Sequence, residues 1–293
     1  MMINALLKAH AQKIEDNFNF LLPENDEKYK KVTEAMRYSF LNGGKRIRPA
    51  LMLEFFSLCG GEGEGALNFA TALEMIHCYS LIHDDLPCMD NDDMRRGKPS
   101  CHKAFGEDTA LLAGDALLTY AFEVASKTKG ASKDNVIKAI GVLAKNAGYA
   151  GMIGGQVIDL AIENTPCDIE TIKEMYLLKT GELLCAAAEI GCILAGADGE
   201  KISAARRYAQ NVGLAFQIID DILDNIGDEK LLGKPVGSDQ KNNKTTFVSK
   251  YGIEECRNIA ARLTETAKEA LNTFEGDKTN IVALTNYLLE RNY

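Results

Sequence analysis

Apolar residues recur at steps of three and four positions along almost the whole chain. This spacing places them on one face of an α-helix and therefore predicts amphipathic helices. No segment shows the sustained alternation of apolar and polar residues that is typical of a half-buried strand. The predicted helices cover residues 2–21, 27–42, 47–59, 63–86, 108–128, 132–149, 151–163, 168–196, 199–227, 253–275 and 279–291. Ser132 and Asp168 begin two of them and are predicted N-caps.

Helix-breaking residues fall between the predicted helices, for example at Gly43-Gly44, at Gly60-Gly61 and in the polar stretch 233–244. None of these breaks is a linker rich in Ser, Gly and Pro, and the chain has only 6 prolines in 293 residues. Hydrophobic residues make up 46% of the chain, which is enough to fill one large core. We therefore predict an all-α protein in which residues 1–293 form a single domain, one large helical bundle.

Charge and composition exclude several classes of protein. The formal net charge of -9 has the wrong sign for a general nucleic-acid binder. The longest apolar run, residues 183–197, is interrupted by Glu189 and is shorter than the about 20 apolar residues that span a bilayer. The N-terminus has no uninterrupted apolar region of a signal peptide, and the 8 cysteines form no CxxC pair. We expect a cytoplasmic protein without a membrane span, in which the cysteines are small core residues.

The first of two acidic clusters lies at the end of a predicted helix. Asp84 and Asp85 are followed by Pro87, which should end the helix there, and then by Asp90. The carboxylates are thus expected near the negative end of the helix dipole, where they are unfavourable without a cation. The alternative interpretation is a solvated acidic helix end.

The second acidic cluster lies inside an apolar helix. A rotation of about 100° per residue places Asp224 one turn beyond Asp220 on the same face, and Gln217 shares that side. Carboxylates beside apolar residues need neutralisation when they are buried. An all-oxygen set of ligands suits Mg²⁺, which takes a few carboxylates together with substrate phosphates. The two clusters together favour a Mg²⁺ site over two solvated acidic patches.

Basic residues follow a glycine pair in the segment 43–49, Gly-Gly-Lys-Arg-Ile-Arg-Pro. Flexible backbone before closely spaced cations is suited to binding a diphosphate, because Arg supplies two parallel hydrogen bonds and Lys a point charge. Lys45 and Arg48 are the candidates. The motif alone is a weak signal.

Two further basic features accompany the first acidic cluster. Arg95 and Arg96 follow it and are candidates for anion binding, the alternative being that they only pair with Asp92 and Asp93. His77 lies seven residues before Asp84, two helical turns back on the same face. A single histidine is more often structural, but this one is predicted to point toward the acidic site.

The order of these motifs resembles that of the trans-isoprenyl diphosphate synthases, over nearly the whole chain. The motifs are Gly43-Gly44-Lys45-Arg46-x-Arg48-Pro49, Asp84-Asp85-x₄-Asp90 with Arg95-Arg96-Gly97, Lys179-Thr180-Gly181, Gln217-x₂-Asp220-Asp221-x₂-Asp224 and Gly233-Lys234. The resemblance implies a helical bundle whose acidic motifs face each other across a central cavity, usually in a homodimer. It also implies a prenyltransferase that joins isopentenyl diphosphate to dimethylallyl or geranyl diphosphate.

The resemblance also implies roles for individual residues. Asp84, Asp90 and Asp220 would bind Mg²⁺, with Mn²⁺ as a substitute, and Asp85, Asp221 and Asp224 would be further ligands or would support the first three. Positive charge on the allylic diphosphate would come from Arg95, Lys179, Lys234 and Lys244. The diphosphate of isopentenyl diphosphate would be held by Lys45, Arg48, His77 and Arg96. The allylic carbocation would be faced by the Thr180 hydroxyl, the Gln217 amide oxygen and the backbone carbonyl of Lys179.

Product length is predicted from Tyr79, five residues before Asp84. In the family this aromatic position, with the longer first acidic motif, resembles bacterial farnesyl diphosphate synthases, so we expect a C15 product. A C20 product, geranylgeranyl diphosphate, is the alternative, and Tyr79 is then an ordinary core residue. Less favoured are a terpene cyclase, which does not need Lys45, Arg48 and His77, and a non-catalytic partner subunit, from which aspartates would be lost.

Overall fold

The computed structural model describes residues 2–22, 28–163, 165–226 and 245–289, and these residues are predominantly helical. The all-α prediction is confirmed. The helices are α1 (Met2–Leu21), α2 (Lys30–Phe40), α3 (Ile47–Leu58), α4 (Leu67–Asp84), α5 (Cys101–Phe105), α6 (Glu107–Ser126), α7 (Lys133–Ala147), α8 (Met152–Ile162), α9 (Ile169–Tyr176), α10 (Glu182–Leu194), α11 (Gly199–Ile226), α12 (Phe247–Ala270) and α13 (Thr279–Leu289).

Three short elements depart from the predicted pattern. Strands β1 (Met94–Arg95) and β2 (Lys98–Pro99) form an antiparallel hairpin between α4 and α5. A π-helical turn, Leu177–Gly181, joins α9 to α10 inside what was predicted as one helix, 168–196. A 3₁₀ turn, Leu271–Thr273, follows α12. Elements this short give no periodic signal that a sequence pattern can detect.

Local capping sets several helix boundaries. The predicted N-caps are confirmed: Asp168 accepts a hydrogen bond from the Thr171 amide at 2.8 Å, and Ser132 Oγ accepts one from the Asn135 amide at 3.2 Å. Thr246 begins α12 with a capping box, because its hydroxyl accepts from the Ser249 amide at 3.2 Å while the Ser249 hydroxyl accepts from the Thr246 amide at 2.9 Å.

The described residues group into two compact units. The first unit contains the residues up to Leu53 and Glu62–Ile140. In it α4 packs against α1, α2 and α6, and it is apolar on almost every side, as expected of a helix enclosed by others. The second unit contains Glu54–Gly61 and the residues from Gly141 onward, and there α11 packs against α10 and α12. The single-domain prediction stays a prediction.

Within the described part of the chain, every helix falls short of the length and apolar character that a membrane crossing requires.

Candidate active site

The first acidic motif forms the end of α4. The helix ends at Asp84, and Asp85 is its C-cap, whose amide donates to the carbonyl of Leu81. The chain then turns back, so that the Asp90 amide donates to the Asp84 carbonyl at 2.9 Å. Asp84 is partly exposed and Asp90 is exposed. The helix end predicted from Pro87 is therefore found, and the turn brings the backbone of Asp90 to that of Asp84.

Asp85 does not share the exposure of its neighbour. It is 2% exposed and is held by Arg95, whose Nε donates to Oδ1 at 2.9 Å and to Oδ2 at 3.2 Å. Burial raises the pKa of Asp85, and the Arg95 guanidinium opposes that rise. Arg95 Nη2 also lies 3.4 Å from Asp92 Oδ2, as the alternative interpretation expected. Arg95 thus fixes the β1–β2 hairpin to the end of α4.

The basic segment 43–49 separates into residues with different surroundings. Lys45 is exposed, whereas Arg46 is buried and pairs with Glu74 at 2.8 Å and Glu15 at 3.1 Å. Its guanidinium also lies 4.9 Å from the Phe40 ring centroid. Arg46 is therefore a structural cation that ties three elements together. The sequence signal for this pair was an acidic residue, Glu74, inside the apolar helix α4.

Arg48, His77 and Arg96 form a cluster of cationic or potentially cationic groups in the first unit. Burial is the largest effect on each, and it lowers the pKa of all three. Arg96 lowers the pKa of Arg48 further, and Arg48 and Arg96 together push the pKa of His77 well below its usual value. Glu74 is the carboxylate that opposes the shift at both arginines. Positive charge therefore accumulates around Arg48 and His77, and it is only partly offset by Glu74.

The same cluster leaves a buried donor for a ligand. Arg48 Nε is buried and makes no hydrogen bond within the part of the chain that the structure describes. Arg96 donates to the Gly43 carbonyl, and its guanidinium lies so close to Gly44 that a Cβ there would be 2.7 Å from Nη1. Gly44 also has a φ of +119°. Gly44 therefore leaves room for the Arg96 guanidinium, and the positive φ of Gly43, +73°, and of Gly44 favours glycine at both positions.

The second acidic motif lines a cavity of about 310 Å³ in the second unit. Asp220, Asp224 and Gln217 all contribute to its wall, so the predicted shared helix face of these three residues agrees with the structure. The other described lining residues are Asp159, Ile162, Met175, Tyr176, Lys179, Asp221, Thr245 and Thr246. A pocket with acidic, basic and apolar groups together is suited to a charged ligand with an apolar part.

Asp221 is the buried member of this motif, at 5% exposure. The Tyr176 hydroxyl lies 2.7 Å from its Oδ1 and 2.8 Å from its Oδ2, and the Phe247 amide donates to Oδ2 at 3.1 Å. The rings of Tyr176 and Phe247 also stack at 5.8 Å. Asp221 thus links α9, α11 and the start of α12. Sequence reasoning missed Tyr176 and Phe247, because neither belongs to a recognised motif.

The π-helical turn carries the predicted residues Lys179 and Thr180. Lys179 Nζ donates to Asp159 Oδ2 at 2.6 Å, and the Thr180 hydroxyl donates to Gln217 Oε1. Gly155 of α8 lies against this turn, since a Cβ there would overlap the backbone of Lys179. Single π-helical turns inside α-helices are frequent at functional sites. Lys179 and Gln217 line the same cavity, and Thr180 is joined to it through its hydrogen bond to Gln217, while Asp159 is a partner that the sequence did not indicate.

Of the three remaining predicted site residues, only Tyr79 lies in the described part of the chain. Lys234 and Lys244 lie outside the described residues. Tyr79 is 5% exposed in α4, and its ring makes an edge contact with His83 at 5.6 Å between centroids. Burial, and then the charge of Asp84, raise the pKa of Tyr79 to about 12. The Tyr79 hydroxyl is therefore within electrostatic range of the acidic motif.

The donors of both acidic motifs fit a hard divalent cation. Among the described residues, no three His, Cys, Asp or Glu side chains lie close enough to form a metal site by themselves. The motifs offer only carboxylate oxygens, and Mg²⁺ commonly binds through one or two carboxylates plus water and substrate phosphates. The residues present fit Mg²⁺ that is shared with a phosphate ligand.

Comparison with known proteins identifies the family. The polyprenyl synthetase family model matches residues 29–285. The chain therefore belongs to the polyprenyl synthetase family, the trans-isoprenyl diphosphate synthases, which are prenyltransferases with the all-α isoprenoid synthase fold. This confirms the resemblance that the motifs indicated.

Individual members of the family are similar to this chain over most of its length. The chain is 47% identical to a geranylgeranyl diphosphate synthase from Cyanophora paradoxa, over 95% of this chain and 93% of the relative. It is 46% identical to a chloroplastic geranylgeranyl pyrophosphate synthase from Catharanthus roseus, over 89% of this chain and 74% of the relative. The crystal structure of an FPP/GFPP synthase from Zymomonas mobilis superposes with a TM-score of 0.89 at 38% identity, covering 98% of both chains.

Proposed function

We propose that this chain condenses isopentenyl diphosphate with allylic diphosphates and releases geranylgeranyl diphosphate, a C20 product. The observation that carries the product length is the 47% identity, over 95% of the chain, to a protein named geranylgeranyl diphosphate synthase. The relative from Catharanthus roseus has the same named activity. These names favour the C20 alternative over the farnesyl product that Tyr79 predicted.

A C15 product, farnesyl diphosphate, is the second candidate function. It is favoured by Tyr79, because this large side chain is buried in α4 and its hydroxyl senses the charge of Asp84. An aromatic ring at that depth shortens a hydrocarbon channel that runs along the helix. The name of the structural neighbour from Zymomonas mobilis, an FPP/GFPP synthase, includes this farnesyl product.

The first unit supplies the proposed site for isopentenyl diphosphate. Lys45, Arg48, His77 and Arg96 would bind its diphosphate, with Lys45 and Arg96 exposed and Arg48 and His77 partly exposed. The support is electrostatic: Arg96 lowers the pKa of Arg48, both arginines lower the pKa of His77, and a bound diphosphate would offset these effects. The buried Nε of Arg48 is a donor for such a ligand. His77 would donate as a neutral imidazole.

The aspartates would hold the metal and the allylic diphosphate. Asp84, Asp90 and Asp220 are the proposed Mg²⁺ ligands, while Asp221 and Asp224 support the second motif. When bound, Mg²⁺ neutralises the negative charge that develops on the leaving diphosphate. Additional positive charge for that diphosphate is proposed to come from Arg95, Lys179, Lys234 and Lys244.

The π-helical turn would face the reacting carbons. As the allylic C–O bond breaks, the oxygen atoms of Thr180 and Gln217 and the carbonyl of Lys179 stabilise positive charge on the allyl group. The hydrogen bond from Thr180 to Gln217 holds these dipoles in place before the reaction. The isopentenyl double bond then forms the new C–C bond, and the proton that is lost passes to the departing diphosphate. No side-chain base is required.

The activity is tested with purified full-length chain, Mg²⁺, isopentenyl diphosphate and, separately, dimethylallyl, geranyl or farnesyl diphosphate. Chromatography of the products should show C20 from all three primers, including farnesyl diphosphate. Synthesis that stops at C15 and rejects farnesyl diphosphate supports the second candidate instead. Absence of elongation from every primer contradicts the proposed activity. The homodimer and the cytoplasmic location remain proposals, the first of which light scattering tests.

Tyr79→Ala separates the two product lengths. If Tyr79 is an ordinary core residue, the variant keeps C20 as its main product. If Tyr79 limits the hydrocarbon chain, the wild type makes C15 and the variant extends it. Cys78→Ala, at the adjacent buried position, is the matched control for loss of packing in α4.

A further inference from the structure

Two cysteines that are far apart in the sequence meet in the second unit. Cys59 Sγ lies 3.5 Å from Cys192 Sγ, although 133 positions separate the residues. Cys59 is partly exposed, whereas Cys192 is buried. The sequence pattern had classified both as small core residues, because it contained no sign that they are paired. The catalytic proposal uses neither residue.

Helix capping fixes the position of Cys59. It is the residue that follows α3, and the next two residues close a Schellman motif: the Gly61 amide donates to the Phe56 carbonyl at 2.8 Å and the Gly60 amide to the Ser57 carbonyl at 2.9 Å. Gly60 has the positive φ, +82°, that this motif requires. Cys59 therefore sits at a defined helix end and not on a loose loop.

A second Schellman motif fixes Cys192 in the last turn of α10. The Ala197 amide donates to the Cys192 carbonyl at 3.0 Å, and the Gly196 amide donates to the Ile193 carbonyl at 3.0 Å. Gly196 has a φ of +78°. Two Schellman motifs thus hold the two thiols next to each other, so oxidation requires mainly rotation of side chains.

The two thiols differ in acidity and access. The hydrogen bond between the two thiols is the largest effect on Cys59 and lowers its pKa; burial opposes this shift, and the nearby Lys201 adds to it. The same hydrogen bond, and then burial, raise the pKa of Cys192. Because the thiolate is the attacking form, Cys59 is the thiol that reacts first with a reagent from solvent, and Cys192 is poised to react second.

We propose that Cys59 and Cys192 form a thiol–disulfide exchange site for small disulfides of the oxidised glutathione type. The Cys59 thiolate attacks one sulfur of the small disulfide, forms a mixed disulfide and releases one thiolate. Cys192, on losing its proton, then attacks Cys59 Sγ, forms the intramolecular disulfide and releases the second thiolate. In total the two cysteines are oxidised, the small disulfide is reduced to two thiols, and the two cysteine protons pass to those thiols or to solvent.

The test uses the full-length wild-type chain incubated with oxidised glutathione. Of the 8 thiols, two should be lost in an intramolecular bond, and protease digestion followed by mass spectrometry should find the Cys59 and Cys192 peptides joined until a reductant is added. A stable glutathione adduct on Cys59, or both cysteines still reduced while the exposed Cys88 is modified, overturns the proposal. This readout does not depend on enzymatic activity.

Variants test the order of the steps. Cys192→Ser should stop at a glutathione adduct on Cys59, whereas Cys59→Ser should leave Cys192 unmodified because it is buried. Cys167→Ser is the matched control, since Cys167 is also partly exposed, and it should form the Cys59–Cys192 bond as the wild type does. An adduct on Cys192 in the Cys59→Ser chain, with thermal unfolding unchanged, contradicts the proposed order.

Discussion

The adjacent aspartates of the two acidic motifs have the same pattern of burial, but the buried aspartate of each motif has different hydrogen-bond donors. In each motif the first aspartate, Asp84 or Asp220, is partly exposed, and the second, Asp85 or Asp221, is buried. Asp85 is held by a charged group, the Arg95 guanidinium. Asp221 is held by neutral donors, a tyrosine hydroxyl and a backbone amide.

This difference indicates what each second aspartate does. In the first unit the carboxylate anchors a hairpin that also carries Arg96 of the cation cluster, so its charge is balanced within the protein. In the second unit Asp221 accepts the hydrogen bond that anchors the start of α12. The two residues of each Asp-Asp pair are therefore not equivalent: the first is partly exposed, and the second fixes the backbone around it.

The largest expected effect is a loss of turnover when the partly exposed first aspartate of either motif is replaced. Asp84→Asn and Asp220→Asn should each reduce turnover by roughly 10²–10³-fold, because a charge that stabilises the leaving diphosphate is removed. Stability should change by less than about 1 kcal/mol, as for other partly exposed carboxylates. Steady-state assays and urea unfolding measure both quantities, with the exposed Asp115→Asn as control. Normal turnover in either variant contradicts the proposed role of the first aspartates as Mg²⁺ ligands.

Replacement of the second aspartate of either motif should mainly reduce the stability of the fold, whereas replacement of the first should mainly reduce turnover. Asp85→Asn and Asp221→Asn should each destabilise the chain by roughly 2 kcal/mol, because buried hydrogen bonds to a charged group are lost. The effect of Asp85→Asn should shrink in 1 M salt, since its partner Arg95 is 32% exposed and can be screened. Urea unfolding at low and high salt measures this change, and a loss of stability that is the same at both salt concentrations contradicts a role for the Arg95 charge.

Tyr176→Phe tests the neutral donor directly. The variant keeps the stack on Phe247 but removes the hydroxyl bonded to Asp221, so we expect a loss of about 1 kcal/mol and a higher Mg²⁺ concentration for half-maximal activity. Tyr208→Phe is the matched control, because it removes another buried hydroxyl, which lies 2.6 Å from Thr285 Oγ1. Both variants should lose similar stability. Unaltered Mg²⁺ dependence in Tyr176→Phe shows that the hydroxyl is only structural.

The smallest effect is a dependence of stability on pH that comes from the cation cluster. The pKa of folded His77 lies well below its usual value near 6.5, so below about pH 6.5 the unfolded chain binds a proton that the folded chain does not. The contribution of His77 to stability therefore falls as the pH decreases from 7 to 5. His77→Gln removes this term, and its melting temperature should decrease less than that of the wild type over this range. Parallel curves contradict the shift.

Local patterns in the sequence anticipated much of the fold and part of the site. Pro87 correctly indicated where α4 ends, and the helical period correctly placed Asp220, Asp224 and Gln217 on one wall. Both inferences depend on residues within two turns of one helix, where backbone geometry alone relates the positions. The family followed from motif order, while the product length predicted from Tyr79 is not favoured by the names of the relatives.

Only the tertiary structure decided which of the charged residues are structural. Arg46 looked like its neighbours Lys45 and Arg48, yet its partner Glu74 lies 28 positions away, and Asp221 is held by Tyr176 from 45 positions away. The π-helical turn and the Cys59–Cys192 contact likewise depend on which helices pack together. A sequence determines periodicity and chemical type along the chain, but burial and pairing are set by packing between distant segments, which no local pattern records.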